Sequence, residues 1–74
     1  MERMTGEHVK YKGYTIFPMP SQSAGALWFG GYEITKDGTP VSIRKNIFPG
    51  FFYSEAAWTD SVEHAKIEID NLAM

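Results

Sequence analysis

The residues best spaced to do chemistry are Asp60, His64 and Glu68, which follow one another at intervals of four. On a helix, this spacing lines three potential metal ligands along one face. Zinc prefers His nitrogen or Cys sulfur in a closed shell, whereas one His between two carboxylates is also typical of an ordinary solvated helix face. The residue types therefore favour a solvated face, and we expect no metal site and no cofactor.

The chain offers little to catalysis. It has no cysteine, so thiolate chemistry, disulfides and Cys-based zinc sites are excluded. Its Ser, His and Asp residues form nothing that resembles a nucleophile elbow. Gly30-Gly31 lies inside a strand pattern with no helix after it, which is not a phosphate-binding loop. We predict no catalytic residues and a protein that is not an enzyme.

The length of 74 residues predicts one domain, residues 9–74, after a disordered tail over residues 1–8. A domain of this size buries only about 60% of the surface that its unfolded chain exposes, so a partner subunit is a plausible supplement to the core. No apolar run is long enough to cross a membrane. The first eight residues are not typical of a secretory signal, which leaves the cytoplasm as the expected location.

The first half of the domain is rich in β-branched and aromatic residues. Val9 to Met19 is predicted to form a first strand. A bulge at Gly13 would turn four side chains inward, those of Val9, Tyr11, Tyr14 and Ile16. Residues 20–26 are predicted to form a loop, and Leu27 to Lys36 a second strand in which Gly30-Gly31 permits a bulge or a close backbone approach.

Asp37-Gly38 is the strongest local signal, because an Asp-Gly pair between two strand patterns supplies the positive φ angles of a type I′ hairpin. Thr39 to Ile47 is the predicted returning strand. Val41, Ile43 and Ile47 are expected on one side of it, and Ser42, Arg44 and Asn46 on the other. Pro40 lacks an amide donor, which predicts that this strand lies at an edge.

The segment Phe48–Tyr53 combines a predicted type II turn at Pro49-Gly50 with four aromatic rings. We expect most of these rings to close the core over Trp58 and one to stay exposed; the alternative is a clamp for a partner. Ser54 is a suitable N-cap, and a helical period then runs to Leu72. Its predicted core stripe is Trp58, Val62, Ala65, Ile69 and Leu72, with Ile67 and Met74 on the opposite side.

These elements predict an α+β fold, β-β-β-α: a three-stranded antiparallel β-meander with one C-terminal α-helix packed on one face. The other face would expose Thr15, Phe17, Phe29, Glu33, Ser42 and Arg44. Residues 9–47 carry five basic and two acidic residues, whereas residues 54–74 carry one basic and five acidic residues. The sheet is therefore basic and the helix acidic.

Three functional hypotheses follow, and the two that involve binding draw on one set of candidate interaction residues. Its residues are Lys12, Phe17, Phe29, Arg44, Lys45 and Ile67. The favoured hypothesis is a non-catalytic binding module for a protein partner or for a second copy, as a homodimer. The alternative is RNA or DNA binding through the basic, aromatic sheet face. The third is an enzyme, for which the residues offer least.

Two families resemble the chain. The runs Tyr11–Ile16, Gly30–Gly38, Arg44–Phe52 and His64–Asp70 resemble a family of short bacterial proteins with no assigned function. That resemblance covers about residues 10–72; it implies a sheet-plus-helix fold and supplies no activity.

The meander, Pro49-Gly50, and a helix with Glu55-Ala56 and Ala65-Lys66 are also similar to the N-terminal domain of HicB-type antitoxins. This resemblance implies an inhibitor that binds a small RNA-cleaving toxin. The chain departs from that family where Tyr53 runs directly into Ser54, since the family has a glycine-containing turn there. The family's DNA-binding segment also has no counterpart in the 74 residues.

Overall fold

A computed structural model describes residues 8–23 and 25–72. The chain forms β1 (Val9–Tyr11), β2 (Tyr14–Pro18), β3 (Ser21–Gln22), β4 (Trp28–Lys36), β5 (Thr39–Phe51) and α1 (Ser54–Leu72). The five strands make one antiparallel sheet, in which β2 and β3 pair with β4, β1 pairs with β2, and β5 pairs with β4. The predicted α+β class and the C-terminal helix packed on the sheet are confirmed, whereas the predicted count of three strands is wrong.

The first predicted strand is a hairpin, and its turn is Lys12-Gly13. The φ angles of these residues are 51° and 84°, close to the 53° and 80° of Asp37 and Gly38. Both pairs have the two positive φ angles of a type I′ turn. The predicted Asp37-Gly38 turn is confirmed, but the bulge expected at Gly13 is wrong, because Lys12 accepts a left-handed conformation that its residue type does not favour.

This hairpin still directs the predicted side chains toward the helix. Val9 lies opposite Ile16, and Tyr11 lies opposite Tyr14. Cross-strand partners share a face, and Ile16 is fully buried with the other three packed around the core. A two-residue turn and a bulge both shift the in–out alternation of the side chains by one residue. The predicted inward set is therefore right, although a turn and not a bulge produces it.

The side of β4 that pairs with β2 also pairs with an additional short strand. Residues 20–26 were predicted to be a loop, yet Ser21 and Gln22 form β3 and pair with Phe29 and Trp28. The Met19 amide also donates to the Gly31 carbonyl at 2.8 Å. These bonds extend the sheet along the N-terminal half of β4.

β5 continues beyond its predicted end at Ile47 and reaches Phe51, so Pro49-Gly50 lies within a strand and not in a type II turn. Its pairing with β4 shifts register at three places, opposite Trp28–Gly30, Gly30–Tyr32 and Ile34–Thr35. Each extra residue in β5 reverses the alternation of faces beyond it. As a result, Ile47 is buried while Val41 and Ile43 are exposed, contrary to their predicted shared face.

The helix is tied to the sheet by a close approach at Gly30 and Gly31. A Cβ on Gly30 would lie 3.0 Å from Ser61 Oγ. Ser61 is fully buried; its hydroxyl donates to the Ala57 carbonyl at 2.7 Å and accepts from the Gly31 amide at 2.9 Å. The predicted close backbone approach at the glycine pair is confirmed, and a helix-borne hydroxyl is its partner.

The buried face of α1 is rotated from the predicted stripe. Val62, Ala65 and Ile69 are buried as predicted, but the stripe continues through Ala57 and Ser61. Trp58 is half-buried, Leu72 is exposed, and Ile67 is exposed as predicted. Small residues at 57 and 61 allow the helix to lie close to the glycines of β4. Met74 lies outside the described residues.

Within residues 8–23 and 25–72, no helix combines the length and apolar character that crossing a membrane requires. Of the predicted tail, only His8 belongs to this part of the chain. Its ring lies 5.6 Å from the ring of Phe17.

Candidate protein-binding surface

The sheet face opposite α1, here called the open face, carries Phe17 and Phe29. Their chain neighbours Ile16 and Gly30 point toward the helix, since Ile16 is in the core and Gly30 adjoins Ser61. Successive strand residues point to opposite faces. The predicted placement of Phe17 and Phe29 on the open face is therefore confirmed, and both rings are half-buried.

Arg44 does not lie on the open face, which corrects its predicted placement. It is the register partner of Tyr32, a core residue that is 1% exposed. Ser42 is likewise the partner of buried Ile34, so both side chains lie on the helix side of the sheet. The bulges in β5 cause this reversal, and Ile43, the partner of Glu33, takes the open face instead.

Lys12 is also separated from the open face. It lies in the β1–β2 turn, and its Nζ is 2.7 Å from Asp70 Oδ1 on α1. The Tyr11 hydroxyl donates to the same oxygen at 2.9 Å. The hydrogen bond to Asp70 raises the pKa of Lys12, and the hydrogen bond from Lys12 is the largest cause that lowers the pKa of Asp70. Lys12 thus fastens the first hairpin to the helix.

The remaining two predicted residues are exposed but lie apart from each other. Lys45 is exposed on β5, next to Asn46, whose φ of 55° marks the bulge. Ile67 is 59% exposed on α1, four residues from exposed Glu63. Phe17 and Phe29 share the open face but lie apart along β4, since Phe17 is opposite Glu33 and Phe29 is four residues earlier in that strand. The single basic surface expected from the sequence is therefore divided.

A surface that the sequence reasoning assigned to the core lies at the C-terminal end of β5. Phe48, Phe52 and Tyr53 are 76%, 81% and 72% exposed. Phe51 alone among the four rings of this segment is half-buried, so the prediction that most of these rings close the core is wrong. Three rings within six residues are thus exposed, and the alternative, a clamp for a partner, stays a prediction.

Phe29 extends this surface onto the open face. Its ring and that of Phe48 have centroids 5.1 Å apart and cross at 89°, the edge-to-face geometry that aromatic pairs favour. Gly50 makes room for this ring, because a Cβ on Gly50 would lie 2.9 Å from Phe29 Cε1. Phe29, Phe48, Phe52 and Tyr53 are hereafter called the aromatic surface.

The apolar area of this surface is large for so small a chain. A Phe or Tyr side chain offers about 200 Å², so the three exposed rings together present roughly 450 Å². Exposed apolar area of this size on a monomer is often functional where it is contiguous, and the ring contact between Phe29 and Phe48 joins two members of this surface. They supply about half of the roughly 800 Å² that each partner contributes to a standard protein interface.

Charged groups on the helix side of the sheet are engaged within the fold. The Tyr32 hydroxyl donates to Glu68 Oε1 at 2.6 Å. Burial, followed by the hydrogen bond and negative charge of Glu68, raises the pKa of Tyr32 to about 12, and the nearby Arg44 acts in the opposite direction. This phenol therefore stays protonated at neutral pH and donates its hydrogen bond to Glu68.

The Asp60, His64 and Glu68 side chains do not converge. His64 Nδ1 lies 3.0 Å from the Asp60 carbonyl and 3.3 Å from Asp60 Oδ2, whereas Glu68 turns to Tyr32. Among the described residues, no three His, Cys, Asp or Glu side chains are grouped to hold a metal ion. The arrangement stabilises the helix and its contact with β4.

No family model, curated protein or solved structure matches the chain. Both family resemblances noted from the sequence stay predictions.

Proposed function

We propose that the protein is a non-catalytic binding module that engages a protein partner through the aromatic surface. The observation that carries this proposal is the exposure of Phe48, Phe52 and Tyr53, each above 70%, beside the half-buried Phe29. Aromatic side chains dominate the energetics of protein interfaces. Leaving three of them in water is costly unless a partner covers them.

A protein partner fits this surface better than a nucleic acid does. Base stacking on a sheet needs cations nearby to hold the phosphates. Lys12 is paired with Asp70, and Arg44 lies on the helix side with Tyr32 and Glu68. Of the three cations predicted to accompany the rings, only Lys45 remains free of these contacts, and the net charge of the chain is −2.

A protein partner also fits better than a small substrate. A depression of about 410 Å³ lies between the Lys12-Gly13 and Asp37-Gly38 turns, where Lys10, Thr15 and Asp37 contribute polar groups. It is open to solvent and does not enclose a ligand. In the interior, Ser61 and Tyr32 are bonded within the fold, and the buried side-chain atoms without a hydrogen-bond partner among the described residues are Trp58 Nε1 and Asp60 Oδ2, one on each of two separate side chains.

The proposal can be tested with a random peptide library displayed on phage, selected against the immobilised chain. Selected peptides are then measured by calorimetry against the wild type, Phe48→Ser, Phe52→Ser and the control Ile67→Ser. Ile67 is a matched control because it is apolar and 59% exposed but lies on α1, away from the aromatic surface. Circular dichroism establishes that each variant is folded.

We expect the two Phe variants to weaken peptide binding at least tenfold, because truncating a central aromatic residue costs about 2 kcal/mol or more. Ile67→Ser should change it less than threefold, and raising the salt concentration should have little effect. Peptides that bind all four proteins equally would overturn the proposal. So would an amide NMR titration in which single-stranded RNA at low salt shifts the aromatic surface and no selected peptide does.

A further inference from the structure

β5 forms one edge of the sheet and is the longest strand, with thirteen residues. It pairs with β4 on one side, and no other described strand pairs with it. The opposite edge of the sheet is formed by two short strands, β1 with three residues and β3 with two. An edge strand presents unpaired backbone N–H and C=O groups that accept a further strand. β5 is therefore the edge at which the sheet can be extended.

The part of β5 able to accept a strand is short and has a defined centre. Ser42, Ile43 and Arg44 pair with β4 without interruption. On one side the pairing shifts at Val41, and Pro40 beyond it has no amide hydrogen. On the other side it shifts at the Asn46 bulge. The usable stretch is Val41–Lys45, and Ile43 is its midpoint.

We propose that β5 pairs antiparallel with β5 of a second copy, with Ile43 opposite Ile43 on the two-fold axis. This register uses the whole stretch, placing Arg44 opposite Ser42 and Lys45 opposite Val41 of the second copy. Ile43 is 55% exposed on the open face, and the pairing covers it. The contact is isologous, so it closes at two copies, and the strand edges that remain among the described residues are the short β1 and β3.

Charge selects this register over its neighbours. Cross-strand partners must share a face, so the pairing can shift only by two residues at a time. Such a shift moves the two-fold axis by one residue, to Ser42 or to Arg44. An axis at Arg44 would bring two guanidinium groups directly opposite each other, which is unfavourable. An axis at Ser42 would place Arg44 opposite Pro40, where the ladder lacks a donor. The axis at Ile43 avoids both penalties.

The absence of cysteine from the chain allows a direct test. Ile43→Cys introduces a single thiol at the axis, and Ile67→Cys introduces one at an apolar position of similar exposure on α1, 59% against 55%. Directly opposite Cβ atoms in an antiparallel pair lie about 4.5–5.5 Å apart, close to the reach of a disulfide. Sedimentation of the wild type and of Ile43→Lys, from low to high micromolar concentration, supplies an independent measurement.

We expect Ile43→Cys to form a disulfide-linked dimer under mild oxidation at least tenfold faster than Ile67→Cys. The wild type should pass from one chain to two as its concentration rises, and Ile43→Lys should stay folded and remain single because two ammonium groups would meet at the axis. Equal cross-linking of the two cysteine variants would overturn the proposal, as would a wild type of one-chain mass throughout. Neither result bears on the aromatic surface, which the peptide selection tests separately.

Discussion

Ser61 is the side chain whose removal should most clearly disturb the helix–sheet junction. It is fully buried, and its oxygen lies between the Gly31 amide at 2.9 Å and the Ala57 carbonyl at 2.7 Å. Ser61→Ala keeps the Cβ and removes only this oxygen. The Gly31 N–H, which is also buried, then has no acceptor in the described structure.

The magnitude follows from opposing contributions. A buried donor left without a partner costs about 1–3 kcal/mol. Alanine is a better helix former than serine by about 0.5 kcal/mol, which offsets part of that cost. We expect Ser61→Ala to lower the free energy of unfolding by about 1–2 kcal/mol. For a domain of this length, that corresponds to a decrease in Tm of about 5–15 °C.

Thermal and urea unfolding, followed by circular dichroism, measure this loss. Thr59→Ala is the matched control, since it removes a hydroxyl from an exposed position of the same helix. Its effect should stay within about 0.5 kcal/mol. Hydrogen exchange adds a local measurement, because the Gly31 amide should exchange faster in Ser61→Ala than in the control.

If Ser61→Ala and Thr59→Ala are equally stable and the Gly31 amide exchanges at the wild-type rate, the stabilising role assigned to the Ser61 hydroxyl is wrong. That result would mean that the Gly31 N–H is satisfied without the serine hydroxyl. A loss of stability with unchanged exchange at Gly31 would instead place the effect elsewhere in the helix.

Three further predictions concern the same junction and its pH dependence. Gly30→Ala places a Cβ 3.0 Å from Ser61 Oγ. It should lower the free energy of unfolding by about 1 kcal/mol in the wild type and by less in Ser61→Ala. Equal losses in a double-mutant cycle would contradict the contact. The pKa of Tyr32 is raised from 10.0 to about 12. Its contribution to stability is therefore present below pH 10 and is lost as the pH rises toward 12. Tyr32→Phe should flatten this loss in urea unfolding and remove a late step from the absorbance titration of tyrosine. The pKa of Asp70 is lowered from 3.8, chiefly by its hydrogen bond with Lys12. Its contribution to stability is therefore present above pH 3.8 and is lost below it. Asp70→Asn should lower the urea midpoint at neutral pH by an amount that shrinks in acid, and a difference that persists in acid would argue against the ion pair.

Local chemistry in the sequence was enough for several features. Asp37-Gly38 predicted its hairpin because the two residue types tolerate the positive φ angles that a type I′ turn requires. Ser54 and the helical period after it predicted α1 from residue 54 to 72. Each of these signals acts within a few residues of the chain and needs no distant partner.

The Lys12-Gly13 hairpin shows where local signals stop. Lysine carries no preference for positive φ, so the pair resembled a bulge in a long strand. The partner of this turn lies far along the chain: Asp70 pairs with Lys12 and accepts from Tyr11. The sequence separation of 58 residues puts this information beyond any pattern read along one strand.

The α+β class, the position of the helix and the inward set of the first hairpin could be predicted from the residues alone, because each depends on local propensity or on simple alternation. The face that β5 presents could not. Its bulges reverse the alternation, so Arg44 joins Tyr32 on the helix side and Ile43 takes the open face. The exposure of Phe48, Phe52 and Tyr53 likewise depends on tertiary packing and not on local sequence. A small sheet covered by one helix buries few large rings, and which of them it buries depends on packing between residues far apart in the chain.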